Sequence, residues 1–430
     1  MQVFEGGPSA PLQMAKPLGR GEKEMRLARI PPHDMALGPV EMVVLQGTAF
    51  CNLNCSYCYL SESSRRNKAS MPIATIEATF QKLLSSRYVD KRCRVSWHSG
   101  EPMVLKPSYY REAINSILDI KTSRCGTDFV VDFDIQTNGT LIDQEWCDLI
   151  NERDGDLLIG VSCDGPAPLH DRHRRNWADK PTHELTHAGM QRLCDNGIMF
   201  DVTAVVSPES LAQPLEFLEY FARFKDYIRE FHFNLHDEFF IESASDGRVE
   251  AYAKRYDRFL RTLLDAIGKD KGNRFPTIRN FSAFYNRLFV DEHERPGYDA
   301  RSMSKPFKTL SIEANGDVTT FYAGLTVDEC RDLQDLYGDG KGLVIGNILD
   351  ESLEEMACSP KLARIAASFE ESHRACEAGC DYFDLCSGGY NLIKYRRFST
   401  FDATQTPECY VHVQTFADTL LSELNSNVRA

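Results

Sequence analysis

Short apolar runs alternate with longer amphipathic stretches from about residue 40 to about residue 265. The apolar runs, rich in Val, Ile, Leu and Phe, read as strands over 41–45, 94–97, 129–135, 157–162, 200–206 and 230–235. The stretches between them read as helices over 73–86, 107–120, 143–151, 186–196 and 215–225. Strand and helix in alternation predict parallel strands joined by crossover helices, either as a doubly wound sheet or as a barrel. The placing of polar residues selects between the two. His98-Ser99-Gly100-Glu101-Pro102, Gln136-Thr137-Asn138-Gly139 and Cys163-Asp164-Gly165-Pro166 each follow directly on a strand. So does a cysteine-rich loop after Val43-Val44-Leu45. Any one such turn is ordinary. Four in order predict strand ends that converge on one mouth, as in a barrel. The expected fold is α/β, a partial (β/α)6 TIM-like barrel.

The flanks of this region read differently. Residues 1–38, broken by Pro8, Pro11, Pro17, Pro31 and Pro32, predict a flexible lead too short and irregular for a winged-helix leader-recognition domain. The barrel is expected over 39–265 and an irregular bridge over 266–305. A small α+β unit is expected over 306–415, followed by a tail over 416–430. That unit opens with a hairpin, 309–313 and 318–321, around Asn315-Gly316-Asp317. A closing helix is expected from about 412 to 425. No internal repeat or low-complexity tract is present.

Composition narrows the function classes. The chain has 430 residues, 42% hydrophobic and 26% charged, which suits an ordinary globular protein with two or three domains. The net charge of −14 and the lack of a basic stripe argue against a nucleic-acid partner. No apolar run reaches the length of a membrane span, and no signal-peptide pattern opens the chain. Fourteen cysteines in such a chain are better explained by metal ligation than by disulfides, which implies a reducing, cytoplasmic setting.

The candidate chemistry lies in two cysteine groups. Cys51, Cys55 and Cys58 offer three thiolates from one loop, so a four-iron cluster held there would keep one iron free for a small chelating ligand. Cys376, Cys380, Cys386 and the distant Cys409 offer four, enough to close a site around zinc or a second iron–sulfur cluster. Cys330 and Cys358 lack a supporting spacing. Cys93, Cys125, Cys147, Cys163 and Cys194 fall within strand and helix patterns and read as small core residues. His183-Glu184-Leu185-Thr186-His187 fits the helical zinc motif H-E-x-x-H, but the first histidine falls in the opening turn and no third ligand follows. It reads instead as a helix start capped by Thr182.

Cys51-x3-Cys55-x2-Cys58, with Tyr57 before the third cysteine and Gly100-Glu101-Pro102 downstream, resembles the radical S-adenosylmethionine (SAM) enzymes. The C-terminal cysteines resemble their auxiliary-cluster (SPASM/twitch) extension. Trp97 to Pro102, Gln136 to Leu141, Asp164-Gly165-Pro166 through His170, Asp171 and Arg174, Thr320-Phe321, Ile345-Gly346-Asn347 and Cys380 to Phe383 resemble the peptide-modifying maturases, most of all the cyclophane-forming enzymes of ribosomal peptides. The likeness covers about residues 41–415.

The resemblance implies a [4Fe-4S] cluster on Cys51, Cys55 and Cys58, S-adenosylmethionine on its open iron, and at least one auxiliary [4Fe-4S] cluster on Cys376, Cys380, Cys386 and Cys409. It implies that Glu101, between Gly100 and Pro102, receives the cofactor's ammonium. Tyr57 would lie near the adenine, and Asn138, Ser162, Asp164 and Arg174 would stand on its ribose and sulfonium side. The implied activity is a carbon–carbon cross-link between an aromatic ring and a side-chain carbon of a precursor peptide, with a flavodoxin, ferredoxin or reductase as electron donor. Other outcomes of the same start are thioether formation, sulfatase-type oxidation of Cys or Ser, and sulfur or group transfer to a small molecule. Three places depart from the family: Phe321 stands where the full extension has a cysteine, Ser387-Gly388-Gly389 replaces three glycines, and 232–241 is unusual.

Overall fold

The computed structural model describes residues 37–126, 128–236, 248–290, 305–320, 339–398, 401 and 403–429. Six parallel strands lie side by side in chain order: β1 (Met42–Leu45), β2 (Arg92–Trp97), β3 (Val130–Thr137), β4 (Leu157–Ser162), β5 (Phe200–Val206) and β6 (Ile228–Leu235). Crossover helices cover their outer face: α1 (Glu62–Arg66), α2 (Ile73–Leu83), α3 (Pro107–Cys125), α4 (Gln144–Glu152), α5 (Ala167–His173), α6 (His183–Asp195) and α7 (Pro214–Ala222). This is the expected partial barrel. Sequential order with one crossover per strand pair is what right-handed βαβ units produce.

Residue alternation explains how the sheet is oriented. In β3, Val131, Phe133 and Ile135 are buried, while Asp132, Asp134 and Gln136 are only half-buried. The apolar set joins the core with Val43, Val95, Trp97 and Ile159 and with Phe80, Ile114, Trp146 and Leu149 of the helices. Trp97 anchors this layer, with the rings of Tyr110 and Phe133 at 5.2 and 5.9 Å. The polar set therefore faces away from the helices, into the barrel. There Ser96 bonds Asp134, Gln136 Nε2 donates to Ser162 Oγ at 3.0 Å, and Thr203 Oγ1 pairs with His232 Nδ1 at 3.3 Å.

Two findings differ from the sequence expectation. The stretch read as an irregular bridge contains the end of α8 (Arg248–Lys269) and all of α9 (Arg279–Phe289). α8 buries Val249, Tyr252, Ala253, Tyr256, Phe259, Leu260 and Leu263, a helical stripe overshadowed by the polar run that follows it. The C-terminal hairpin also does not stand apart. β7 (Thr309–Ile312) pairs in parallel with β1, and β8 (Asp317–Thr320) and β9 (Gly346–Asn347) extend the same sheet antiparallel. Helices α10 (Leu353–Ala357), α11 (Pro360–Gly379), α12 (Phe383–Cys386) and α13 (Asn391–Phe398) follow. A π-helical turn, Cys409–Thr415, then leads into α14 (Phe416–Arg429). Cys330, Phe321 and residues 237–241 lie outside the described residues.

Candidate active site

The Cys51–Cys58 loop leaves the carboxyl end of β1 and has no helix or strand of its own, so its shape is imposed by neighbours. Cys51 N donates to Arg65 O at 3.0 Å, and Trp177 Nε1 donates to Cys51 O at 2.8 Å. Asn54 N and Ser56 N donate to Arg175 O and His173 O at 2.7 and 3.0 Å. Arg65 bonds Leu60 O and Asn54 Oδ1, and the Arg66 guanidinium lies 4.0 Å from the Trp177 ring centre. The segment 173–177 thus acts as a brace for the thiols. Cys55 borders a cavity of about 400 Å³ that Arg65, His173, Arg175 and Trp177 also line.

Each of the three thiols lies within electrostatic reach of the other two. Burial pushes the Cys51 thiol far up, and the Glu101 charge adds to this. Burial also lifts Cys55, to about 11, against the opposing charge of Arg174. Without a metal Cys51 and Cys55 therefore stay protonated; a bound cation would be needed to draw off their protons.

The end of β2 locks onto this loop. Ser99 and Gly100 both have positive φ, 78° and 63°. A Cβ on Gly100 would stand 2.6 Å from Thr48 O and 2.7 Å from Ala49 O, so only glycine lets the turn reach the backbone ahead of Cys51. Glu101 N then donates to Phe50 O at 2.8 Å. The Glu101 side chain is fully buried, with Oε1 accepting from Met103 N (2.9 Å) and Thr137 Oγ1 (2.7 Å) and Oε2 from Asn138 N (2.7 Å). Burial raises its pKa, and these three bonds partly offset the rise. Pro102 opens a short 3-10 turn, and its carbonyl accepts from Tyr110 Oη at 2.6 Å.

The ends of β3 and β4 complete the rim. Asn138 Nδ2 donates to Asn52 Oδ1 at 2.8 Å, tying β3 to the cysteine loop, while Asn138 Oδ1 accepts from Thr140 N and Oγ1. Asp164, after β4, is buried and accepts from Arg174 Nε (3.0 Å), Val205 N (2.9 Å) and the Tyr57 hydroxyl. Burial alone would raise the Asp164 carboxyl; the Arg174 charge and these hydrogen bonds override it and hold it below the ordinary range. Tyr57 is fixed by this bond and by the Arg174 guanidinium 5.5 Å from its ring. Ser162 points into the barrel toward Gln136.

The second cysteine group comes together at the other end of the chain. Cys376 lies in the last turn of α11, Cys380 caps that helix, Cys386 ends α12 and Cys409 opens the π-helical turn. Each of the four lies within electrostatic reach of the other three. Ser387, Gly388 and Gly389 all have positive φ, which turns the chain sharply after Cys386. Burial lifts Cys409 to about 12. Among the described residues no group of three or more His, Cys, Asp or Glu side chains is placed to hold a single metal ion.

The H-E-x-x-H histidines serve another purpose. His183 Nε2 and His187 Nδ1 each lie 3.1 Å from the Tyr220 hydroxyl. Thr182 occupies the N-cap position, yet its side chain does not cap: Thr182 Oγ1 donates to Arg174 O at 2.7 Å. The Asp171 carboxylate accepts from Thr182 N and His183 N instead, both at 2.8 Å. Of the five cysteines expected in the core, Cys93, Cys147, Cys163 and Cys194 are buried and Cys125 is half-buried; Cys358 is exposed.

Residues 45–221 match the family described as the Radical SAM superfamily. An uncharacterised protein of Synechocystis is 29% identical over 91% of this chain and 94% of its own. The serine-type anaerobic sulfatase-maturating enzyme of Bacteroides thetaiotaomicron is 26% identical over 90% of this chain and 92% of its own. The cysteine-type enzyme of Clostridium perfringens is 24% identical over 82% and 88%. Among solved structures, anSMEcpe with bound AdoMet and the Cp18Cys peptide superposes with a TM-score of 0.69 at 20% identity, covering 91% of this chain and 99% of that one. SuiB of Streptococcus suis bound to its precursor peptide SuiA superposes with a TM-score of 0.57 at 15% identity, covering 90% and 79%.

The match over residues 45–221 and the likeness to sulfatase-maturating enzymes indicate an enzyme, and the matched family implies a [4Fe-4S] cluster with S-adenosylmethionine. Three thiols from one loop, those of Cys51, Cys55 and Cys58, have the chemistry such a cluster needs. Among the described residues no helix is long and apolar enough to cross a membrane. Sequence reasoning about residues 45–221 missed the brace at 173–177 and the polar inner face. Trp177 carried no signal, because its role depends on contact with a loop 126 residues away. The inner face did carry one, in the alternation Asp132, Asp134, Gln136 along β3.

Proposed function

We propose that this radical SAM enzyme removes two hydrogens from a ribosomally made precursor peptide, joining an aromatic ring to a nearby side-chain carbon. The observation that carries the reading is the rim itself: the Cys51–Cys58 loop is hydrogen-bonded to the ends of β2 and β3 around one mouth above a polar barrel interior. In this reading Cys51, Cys55 and Cys58 hold the cluster and leave one iron to the cofactor. Glu101 takes the cofactor's ammonium on Oε2, which accepts one hydrogen bond where Oε1 accepts two. Gly100 and Pro102 set the Glu101 backbone. Tyr57 offers a ring to the adenine, and Asn138, Ser162, Asp164 and Arg174 frame the ribose side. When bound, the cluster and S-adenosylmethionine supply a 5′-deoxyadenosyl radical that takes hydrogen from carbon, which no side chain can do. The inner-face groups Ser96, Asp134, Gln136, Thr203 and His232 orient the peptide below the rim. Cys376, Cys380, Cys386 and Cys409 would hold an auxiliary cluster that accepts the second electron.

A peptide substrate is supported by the likeness to anSMEcpe and SuiB, each solved with a peptide bound. The two sulfatase-maturating relatives, matched over most of the chain, favour a second reading: oxidation of a single Ser or Cys to an aldehyde. The anaerobically reconstituted, reduced protein is first tested for cleavage of S-adenosylmethionine; no cleavage sinks both readings. It is then incubated with precursor peptides bearing an aromatic-x-x motif and with Ser- and Cys-containing sulfatase peptides. A loss of two hydrogens without reaction toward a hydrazide probe supports the cross-link. A hydrazide-reactive product supports the aldehyde instead, and an unchanged mass in every peptide counts against both.

A further inference from the structure

Lys394, on α13, is only 4% exposed, and its Nζ points into the four-thiol group. It donates to Ser372 Oγ at 2.7 Å and lies 3.4 Å from Cys376 Sγ. Its charge also reaches Cys380, Cys386 and Cys409. Ser372 is itself fully buried and turns its hydroxyl toward Asn391 Oδ1 at 3.4 Å. The neighbouring cation on the same helix, Arg397, is matched by Glu408 in a buried ion pair. Lys394 has no such match: among the described residues it meets a hydroxyl and a thiol but no carboxylate. A buried ammonium with only neutral partners is costly.

We propose that Lys394 is the positioning charge of the four-thiol site, a buried cation that makes an iron–sulfur cluster bound there easier to reduce. The inference rests on the reading of Cys376, Cys380, Cys386 and Cys409 as auxiliary-cluster ligands. Four thiolates on a [4Fe-4S]²⁺ core carry a net charge of −2, and one-electron reduction takes it to −3. Lys394 lowers the magnitude of both by one, and repulsion against the incoming electron falls. Lys394 forms or breaks no bond. Net charge and hydrogen bonds to sulfur are the levers by which a protein sets such a potential.

The test uses the full chain carrying Cys51→Ala, Cys55→Ala and Cys58→Ala, reconstituted anaerobically, so that only the second site can hold iron. Iron per chain is counted, and the reduced signal is followed by electron paramagnetic resonance during titration with dithionite. With Lys394 in place the chain should bind about four irons. Lys394→Met should keep that iron but lower the reduced-to-oxidised ratio at a fixed potential at least tenfold, which is about 59 mV for a one-electron couple. Lys394→Arg should restore the ratio. An unchanged titration in Lys394→Met at full iron content overturns the proposal, as does an equal shift in Lys394→Met and Lys394→Arg. If Lys394→Met loses its iron, Lys394→Arg decides: retained iron and titration support the role of charge, and loss overturns it. A triple variant with Lys394 intact that holds no iron overturns the cluster reading itself, a result distinct from all the others.

Discussion

Asp164 and Arg174 form a buried pair beside the cysteine loop, and each depends on the other. Asp164→Ala would strand a buried guanidinium, and we expect a loss of about 3 kcal/mol or more in urea unfolding of the metal-free protein. The double variant Asp164→Leu with Arg174→Met should recover most of it, because no charge is then left unpaired. The pH dependence has a definite sign. The folded Asp164 carboxyl titrates below its unfolded value of about 4, so its contribution is present above that pH and is lost as pH falls through the lower folded value. The stability gap between wild type and Asp164→Ala should therefore close only in strong acid. Gly100→Ala combines a left-handed φ with a Cβ pressed on backbone, and it should reduce 5′-deoxyadenosine release at least tenfold. Unaltered release in that variant would mean that the β2 turn does not hold the cysteine loop.

At the scale of elements, the strand ends were legible because their chemistry is local. A polar tetrapeptide after an apolar run marks the carboxyl end of a parallel strand wherever the strand lies. The three cysteines were legible for a similar reason, since they fall within eight residues of one loop. The brace was not, because Trp177 meets the loop through a contact between residues 126 positions apart. Trp177→Phe keeps the ring over which Arg66 sits and removes the N–H that meets Cys51 O, a loss of about 1 kcal/mol. We expect iron bound at Cys51, Cys55 and Cys58 to pass to a chelator faster in this variant, with circular dichroism unchanged. Equal rates would assign the bracing to the backbone bonds of 54 and 56 alone. Likewise the stripe Tyr252, Tyr256, Phe259 and Leu263 of α8 was present in the sequence, yet the turn-rich run after it drew the reading toward an irregular bridge.

For the whole molecule, one sheet runs through both parts of the chain, since β7 lies beside β1 and β8 and β9 continue it, and the second thiol group belongs to the helices that follow. Cys58→Ala should abolish cofactor cleavage, whereas Cys380→Ala should leave cleavage possible and impair product formation or folding. Iron analysis of reconstituted protein should show about eight atoms per chain in wild type and about four in a variant lacking either site. Equal behaviour of the two variants in cleavage would refute the division of labour. By itself the sequence determined the alternation of strand and helix, the thiol spacings and the polar strand ends, because each depends on neighbours within a few residues. Only the tertiary structure decided which groups meet: Trp177 with Cys51, Tyr57 with Asp164 and Arg174, and Lys394 with Cys376. Those contacts join residues far apart in the chain, and their energies come from burial and charge pairing, which do not exist until the chain has closed around them.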